Sequence, residues 1–269
     1  MRTLQFGPLF TCMMLLTACT AKPTNPSFPT TFSDANRAIG EMRASPCVLR
    51  RPLVIIGGMF DPNVSPPLYR MWFERVTRDS QVITVSVGLC GSFDECRRKV
   101  IYAVQAKCPS SDPEWTSEVD VVGASLGGLI GRYAAAPSKD PAHSRRLRIA
   151  RLFSISSPHS GANLAKSMAI TQFHRDMRPG SNFLLTLAGN DSEANYSLYP
   201  YVRLNDEIVG ERFAAPPGVT PLWLPNPRWM PSHSGAMCDE RILADIARRL
   251  RGEEPLSHAP ATTPLPEPS

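Results

Sequence analysis

Charge of one sign is what this sequence most lacks. Its 269 residues carry 29 Lys and Arg against 24 Asp and Glu, a net charge of +5. The two signs are interleaved, so the electrostatic footprint of a nucleic-acid binder is missing and nucleic acid is not an expected partner. Arg145, Arg146, Arg148 and Arg151 read as a solvated face flanking a strand. Charged residues make up only 20% and hydrophobic ones 42%, which excludes a mainly disordered chain. The 17 glycines follow no collagen period, and seven cysteines are too few for a domain held together by disulfides alone. No histidine or cysteine pair stands at metal-ligand spacing, so neither a metal nor a cofactor is expected. No internal repeat is visible. What remains suits one large core.

Both ends read as separate from that core. Residues 1–18 hold Arg2 and then a mostly apolar run ending in Leu15-Leu16-Thr17-Ala18, followed by Cys19. The run is too short for a good membrane span and has the shape of a secretory signal. Leu16, Ala18 and Cys19 resemble the lipobox of bacterial lipoproteins, in which the cysteine is diacylated and becomes the new amino terminus. An ordinary signal peptide that happens to contain a cysteine is the alternative. The resemblance implies a membrane anchor at Cys19, each buried acyl methylene contributing about 0.8 kcal/mol. Thr20, where inner-membrane retention would call for Asp, implies the outer membrane. Residues 19–33, with Pro23, Pro26 and Pro29, read as an extended tether. Residues 252–269, with five prolines, read as a disordered tail.

Between residues 34 and 251, β-rich runs alternate with helical ones. Leu53–Ile56, Gln81–Val87, Val119–Val122, Ile149–Ser156, Tyr199–Leu204 and Val219–Leu224 are the candidate strands. Residues 66–78, 93–107, 126–136 and 237–250 are the candidate helices. In the last, Met237, Ile242, Ile246 and Leu250 form a stripe, with Arg241, Arg248 and Arg249 facing out. Short continuous apolar strands separated by helices predict one α/β domain with a mostly parallel sheet covered on both faces.

Gly123-Ala124-Ser125-Leu126-Gly127-Gly128 fits Gly-x-Ser-x-Gly, with a strand before it and a small-residue helix after. A serine raised on so sharp a turn needs neighbours without bulk, so that the turn closes and the hydroxyl stands free above the sheet. The Leu126 amide then faces a developing oxyanion from a helix N-terminus. A glycine-rich turn with an incidental serine reads the same way from these six residues alone. An acyl-transfer site needs a second amide from the loop after an earlier strand. Gly57-Gly58-Met59-Phe60 offers one, with Met59 the expected donor, unless it is a plain glycine turn.

Such a serine needs a base and an acid in the chain order nucleophile, acid, base. Of the five histidines, His143 lies in a Pro-rich basic loop, His159 follows a strand, His174 falls in an insertion and His258 in the tail. His233, between the last strand and the last helix, is the expected base. Asp140 precedes its own strand, while Asp176, Asp191 and Glu193 lie in the insertion. Asp206, after Tyr201–Asn205, is the expected acid, with Glu207 its nearest competitor. A surface-turn carboxylate is the other reading.

With these residues placed, the chain resembles the α/β-hydrolase superfamily, and within it the lipase and GPI-inositol-deacylase group of carboxylic ester hydrolases. The resemblance rests on the Gly-Ala-Ser-Leu-Gly-Gly turn and on Gly57-Gly58-Met59, where lipases usually carry His-Gly-x. Two further segments carry it. Ser157-Pro158-His159-Ser160-Gly161 is similar to the group's Thr-Pro-His-x-Gly, and Asn205-Asp206-Glu207-Ile208-Val209 to its Asn-Asp-Gly-Ile-Val. It covers roughly residues 50–250 and departs at Gly57 and Glu207. It implies a serine esterase or lipase acting on a lipid-like acyl ester through Ser125, Asp206 and His233, with Met59 and Leu126 as oxyanion donors. A thioesterase or phospholipase on the same site is a second possibility, and a lipoprotein that binds lipid or a partner without turnover a third.

Residues 160–198 form an insertion of about forty residues with scattered apolar positions, among them Met168, Ile170 and Phe173. Ser181 is the expected cap of a helix beginning at Asn182. The insertion reads either as a lid or acyl pocket or as cap helices that complete the core. In an oxidising compartment the cysteines outside the signal and Cys19 are expected to pair. A helix over 93–107 is about 20 Å long, which keeps Cys96 and Cys108 apart. That helix runs antiparallel to the strands, so Cys96 lies at the end near Cys90, which follows a strand, and Cys108 at the end near Cys47, which precedes one. Cys90–Cys96 and Cys47–Cys108 are the expected pairs, with Cys238 unpaired.

Overall fold

The computed structural model describes residues 23–78, 80–167, 170–227 and 230–267. The expected signal 1–18, the lipidation candidate Cys19 and Met168 of the insertion lie outside the described residues.

Six strands form one sheet: β1 (Leu53–Ile56), β2 (Val82–Val85), β3 (Val119–Ala124), β4 (Ile149–Ile155), β5 (Ser197–Arg203) and β6 (Leu222–Leu224). Their order is β2-β1-β3-β4-β5-β6 and every neighbouring pair is parallel. The sheet is thus wholly parallel among the described residues, consistent with an α/β-hydrolase-like fold. The two-residue period of a strand sorts side chains between two cores. Leu53 and Ile55 enter one core together with α1 (Phe32–Ala44), α2 (Ser65–Glu74) and α9 (Glu240–Arg251). Val54 and Ile56 enter the opposite core with α3 (Phe93–Lys107) and α4 (Leu126–Ala135). Central β1 and β3 are buried throughout, whereas edge strand β2 alternates. The 160–198 insertion forms α5 (Asn163–Ser167), α6 (Gln172–Asp176) and α7 (Asn182–Gly189), the last capped by Ser181, whose Oγ accepts from the Leu184 N–H at 3.2 Å. Phe173, Met177, Leu184 and Leu187 of this insertion pack into the α3–α4 core.

The ends depart from expectation. Residues 23–31 are no free tether: Asn25, Ser27 and Phe28 are buried, and Asn25 Nδ2 donates to the Trp223 carbonyl at 2.7 Å. Helix α1 follows, unforeseen, with Thr31 and Asp34 capping each other's backbone and Ala35, Ala38, Ile39 and Met42 buried. Residues 252–267 are not a loose tail either. They lie along the body, where Trp223 Nε1 donates to the Thr263 and Pro264 carbonyls and buried Asp245 accepts from the Leu256 and Ser257 N–H groups. Proline-rich segments have no periodicity of their own, and here remote partners supply the order.

The helix expected over 237–250 is two helices. α8 (Ser232–Met237) ends at Cys238, and Asp239 caps α9 by accepting from the Arg241 N–H at 3.0 Å. Arg241, expected to face solvent, is buried, because its guanidinium pairs with Asp239 at 2.7 Å opposite Arg203. The solvated arginine face is likewise only partly solvated. Arg151 pairs with buried Asp120, and Arg146 stacks on the Trp115 ring at 4.3 Å.

The expected disulfides are not made: Cys47, Cys90, Cys96, Cys108 and Cys238 are all free thiols. Cys90 and Cys96 do touch, thiol to thiol, and burial pushes the Cys96 thiol up. Cys47 and Cys108 sit on opposite faces of the sheet. Cys47 bridges to Thr77 beyond α2, while Cys108 ends α3 and packs against the other core. Helix length places both near the amino ends of the strands but says nothing about which face each occupies.

Candidate functional site

Ser125 stands between β3 and α4 with φ +52° and ψ −124°, a left-handed backbone that costs about 1–3 kcal/mol in a non-glycine residue. Its N–H donates to the Ile155 carbonyl at 2.8 Å, which ties the turn to β4. The flanking glycines are there because backbone passes too close for anything else. A β-carbon on Gly123 would lie 2.4 Å from the Gly128 backbone, and one on Gly127 would lie 2.2 Å from the Ile56 carbonyl oxygen. The hydroxyl is thereby held at the carboxyl edge of the sheet.

Asp206 reaches the same edge from the turn after β5, where Asn205 also takes a positive φ, +60°. Its side chain is fully buried, and Oδ1 accepts from the Val209 N–H at 2.9 Å and the Ile208 N–H at 3.1 Å. Burial pushes the carboxyl up, but the hydrogen bond and charge of His233 and the Val209 amide outweigh it and hold the group below the ordinary carboxylate range. His233 comes from the first turn of α8, after β6. Its Nδ1 is 3.0 Å from each Asp206 oxygen and its Nε2 is 3.0 Å from Ser125 Oγ. An ionised carboxylate only accepts, so Nδ1 carries the proton and Nε2 is free to accept from the hydroxyl. This is the arrangement a serine needs in order to lose its proton as it attacks an electrophile.

Glu207, the competing acid, faces elsewhere. Its carboxylate accepts from the Ser232 N–H at 2.9 Å and the His233 N–H at 3.2 Å, the backbone of α8 rather than the ring. Three of the other histidines have partners or positions elsewhere. His143 pairs with Asp140, and His258 is exposed on the carboxyl-terminal segment. His159 is buried with Nε2 2.8 Å from Ser154 Oγ. Burial and the nearby Arg132 hold its pKa well below that of an ordinary histidine.

Met59 and Leu126 line one cavity with Ser125, of about 160 Å³. The Gly57–Met59 loop runs against the serine, since a β-carbon on Gly58 would lie 3.2 Å from Ser125 Cβ. Apart from Ser125 and His174 the lining is apolar, and most of the far wall, from Ala162 through Ile170 to Met177, belongs to the insertion. His174 and Phe60, stacked at 6.1 Å, were not singled out for this wall in the sequence, where nothing in their spacing marks them. Arg132 was also missed, although a lone arginine in a small apolar helix was a signal. It is buried, pairs with Asp191 at 2.6 Å and donates to the His159 carbonyl, so it ties α4 to the end of the insertion. A larger hollow of about 390 Å³ beside Trp115 and Arg146 lies at the amino ends of β3 and β4, away from the serine. Among the described residues, no group of three or more His, Cys, Asp or Glu side chains gathers as metal ligands would.

No protein-family model matches the chain, and no curated protein matches its sequence. In three dimensions it is similar to the product of gene lin2722 from Listeria innocua, known from a crystal structure. The TM-score is 0.51 at 13% sequence identity, covering 76% of this chain and 95% of that one. That likeness is one of fold alone, an α/β architecture with a parallel sheet flanked by helices.

Proposed function

We propose that the protein is a serine hydrolase that cleaves carboxylic esters, as an esterase or lipase, through an acyl-enzyme on Ser125. The observation that carries this reading is the chain of 3.0 Å contacts from Ser125 Oγ through the His233 ring to Asp206, opening into an apolar cavity. Ser125 Oγ attacks the acyl carbon while its proton passes to His233 Nε2, and the carbonyl electrons move onto the oxygen. The Met59 and Leu126 N–H groups hold that oxyanion. Collapse expels the alcohol, which takes the proton from Nε2. Water then repeats the sequence on the acyl-serine, releasing the acid and restoring the hydroxyl. Asp206 orients the ring and stabilises the imidazolium.

A lipid-like acyl group is favoured by the rim of the cavity, where Phe60, Leu164 and Ile170 are 74%, 37% and 78% exposed. The amino-terminal sequence extends the proposal to a lipid anchor on Cys19 that holds the enzyme in the bacterial cell envelope, at the outer membrane. Incorporation of a palmitate analogue that is lost in Cys19→Ser tests the anchor. A fluorophosphonate probe tests the chemistry. The wild-type protein labels and Ser125→Ala does not, whereas a lipoprotein that only binds its ligand leaves both unlabelled. A series of p-nitrophenyl esters of rising chain length, with thioester and phospholipid arms, then assigns the substrate class.

A further inference from the structure

We propose that Glu207 is a positioning residue for His233: its carboxylate caps the helix that carries the imidazole and so fixes the ring against Ser125. The inference rests on the hydrolase reading above and adds to it a part that the resemblance did not supply, since Glu207 is where this chain departs from the Asn-Asp-Gly-Ile-Val pattern.

Helix α8 has only six residues and starts after Pro231, which makes no side-chain cap. A helix this short does not hold its own first turn, and its leading N–H groups need acceptors from outside. Glu207 provides them from 25 and 26 positions away. Its Oε2 accepts from the Ser232 N–H at 2.9 Å and from the His233 N–H at 3.2 Å, and Oε1 lies 3.4 Å from the same His233 nitrogen. The negative group also meets the positive end of the helix. Beside it, Ser232 Oγ donates to the Leu204 carbonyl at 2.8 Å. One turn, 204–207, therefore grips the histidine twice, Asp206 at the ring and Glu207 at the backbone. The two grips fix both ends of the His233 side chain, leaving Nε2 one direction in which to point. A shift of about 1 Å in such a group costs on the order of 100-fold in rate. Glu207 itself is exposed, so shortening it opens no hole in the core.

The test uses the full chain carrying Glu207→Ala or Glu207→Gln, with Ser125→Ala as the blank. The measurements are kcat and KM on a short p-nitrophenyl ester, the thermal midpoint, and the downfield proton resonance of His233 Nδ1–H. Glu207→Ala is expected to lower kcat by about 10- to 100-fold with KM within about twofold, and to lose or broaden the resonance. Glu207→Gln keeps an acceptor at the same reach and restores most of kcat and the resonance. Wild-type kcat in Glu207→Ala overturns the proposal, as does Glu207→Gln being as slow as Glu207→Ala. A rate lost only in step with the thermal midpoint, without the kcat and KM split, overturns it too. If the wild-type protein turns over no ester and takes no probe, the hydrolase reading fails separately. The resonance then decides the positioning role: lost in Ala and kept in Gln supports it, unchanged in Ala overturns it.

Discussion

The hydroxyls of Ser27 and Thr263 lie 2.8 Å apart, joining positions separated by 236 residues. They stitch the first described segment to the last across β6, whose Trp223 donates its indole N–H to the Thr263 and Pro264 carbonyls at 3.1 and 3.0 Å. Next to them, Asp245 is buried and accepts from the Ser257 N–H at 2.8 Å and the Ser257 hydroxyl at 2.7 Å. Removing residues 255–269 is therefore expected to leave a buried carboxylate and an indole short of partners. The expected loss is about 2–5 kcal/mol of stability. Urea unfolding of the truncated chain measures it, and an unchanged midpoint would show the segment to be an ornament.

Ser125, His233 and Asp206 touch in series, so their losses should not multiply. Ser125→Ala or His233→Ala alone is expected to cut ester turnover by about 10⁴-fold or more, and the double variant to be no slower than either. Asp206→Asn is expected to lose about 10³- to 10⁴-fold, because an amide no longer selects the tautomer with its proton on Nδ1. Turnover of a p-nitrophenyl ester by the three single variants and the double one is the measurement. Multiplying losses would mean that the serine and histidine act separately.

Much of the fold and of the candidate site was legible because local signals and tertiary contacts agree there. Helix α3 runs over the predicted residues 93–107, since Ser92 caps it and its apolar period is clean. The serine turn announces itself through glycines that the structure leaves no room to replace. His233 and Asp206 followed from chain order together with their places beside strands and the elimination of the other histidines and carboxylates. What stayed hidden depends on partners far away in sequence. The tail is ordered by Trp223 and Asp245, and Arg241 is buried by Asp239 and Arg203. Helix α1 carried a local signal, Thr31 with Asp34, set directly against a proline-rich stretch that argued the other way. The Glu207 carboxylate could be seen as a rival acid but not as a cap, because the start of α8 was itself unread.

Two glycines give opposite expectations for the same substitution. Gly127→Ala drives a methyl to 2.2 Å from the Ile56 carbonyl, a fixed point of a fully buried strand. It is expected to cost about 1–3 kcal/mol, and more if β1 cannot move, and to slow probe labelling at Ser125 at least tenfold. Gly40 sits inside α1 with open space where a β-carbon would go. There, Gly40→Ala is expected to add about 0.5–1 kcal/mol by helix propensity and to leave labelling unchanged. Chemical denaturation together with labelling rates separates the two, and a neutral Gly127→Ala would sink the steric account of the turn.

Acid should unfold the protein in two stages, and the first belongs to His159. Its ring is buried with Nε2 on Ser154, and Nδ1 has no hydrogen-bond partner among the described residues. Burial, reinforced by the Arg132 charge, holds its pKa well below that of a free histidine. In the unfolded chain the same ring titrates near about 6.5. Below that pH the unfolded state binds a proton that the folded state refuses, so stability falls as pH falls, by up to about 1.4 kcal/mol per pH unit. The second stage comes from Asp206 and Asp239, both held below the ordinary carboxylate range despite burial, Asp206 by His233 and Asp239 by Arg241 and Arg203. The stability they contribute is present above about pH 4, the unfolded value, and is lost as pH falls through their lower folded values. Urea midpoints from pH 7 to pH 3 should therefore decline first from about 6.5 and again below about 4. His159→Gln, which can still hydrogen-bond Ser154 but cannot titrate, should flatten the first decline and leave the second in place. If the variant and the wild-type protein lose stability in parallel between pH 6.5 and 4.5, His159 is not the group that carries the first stage.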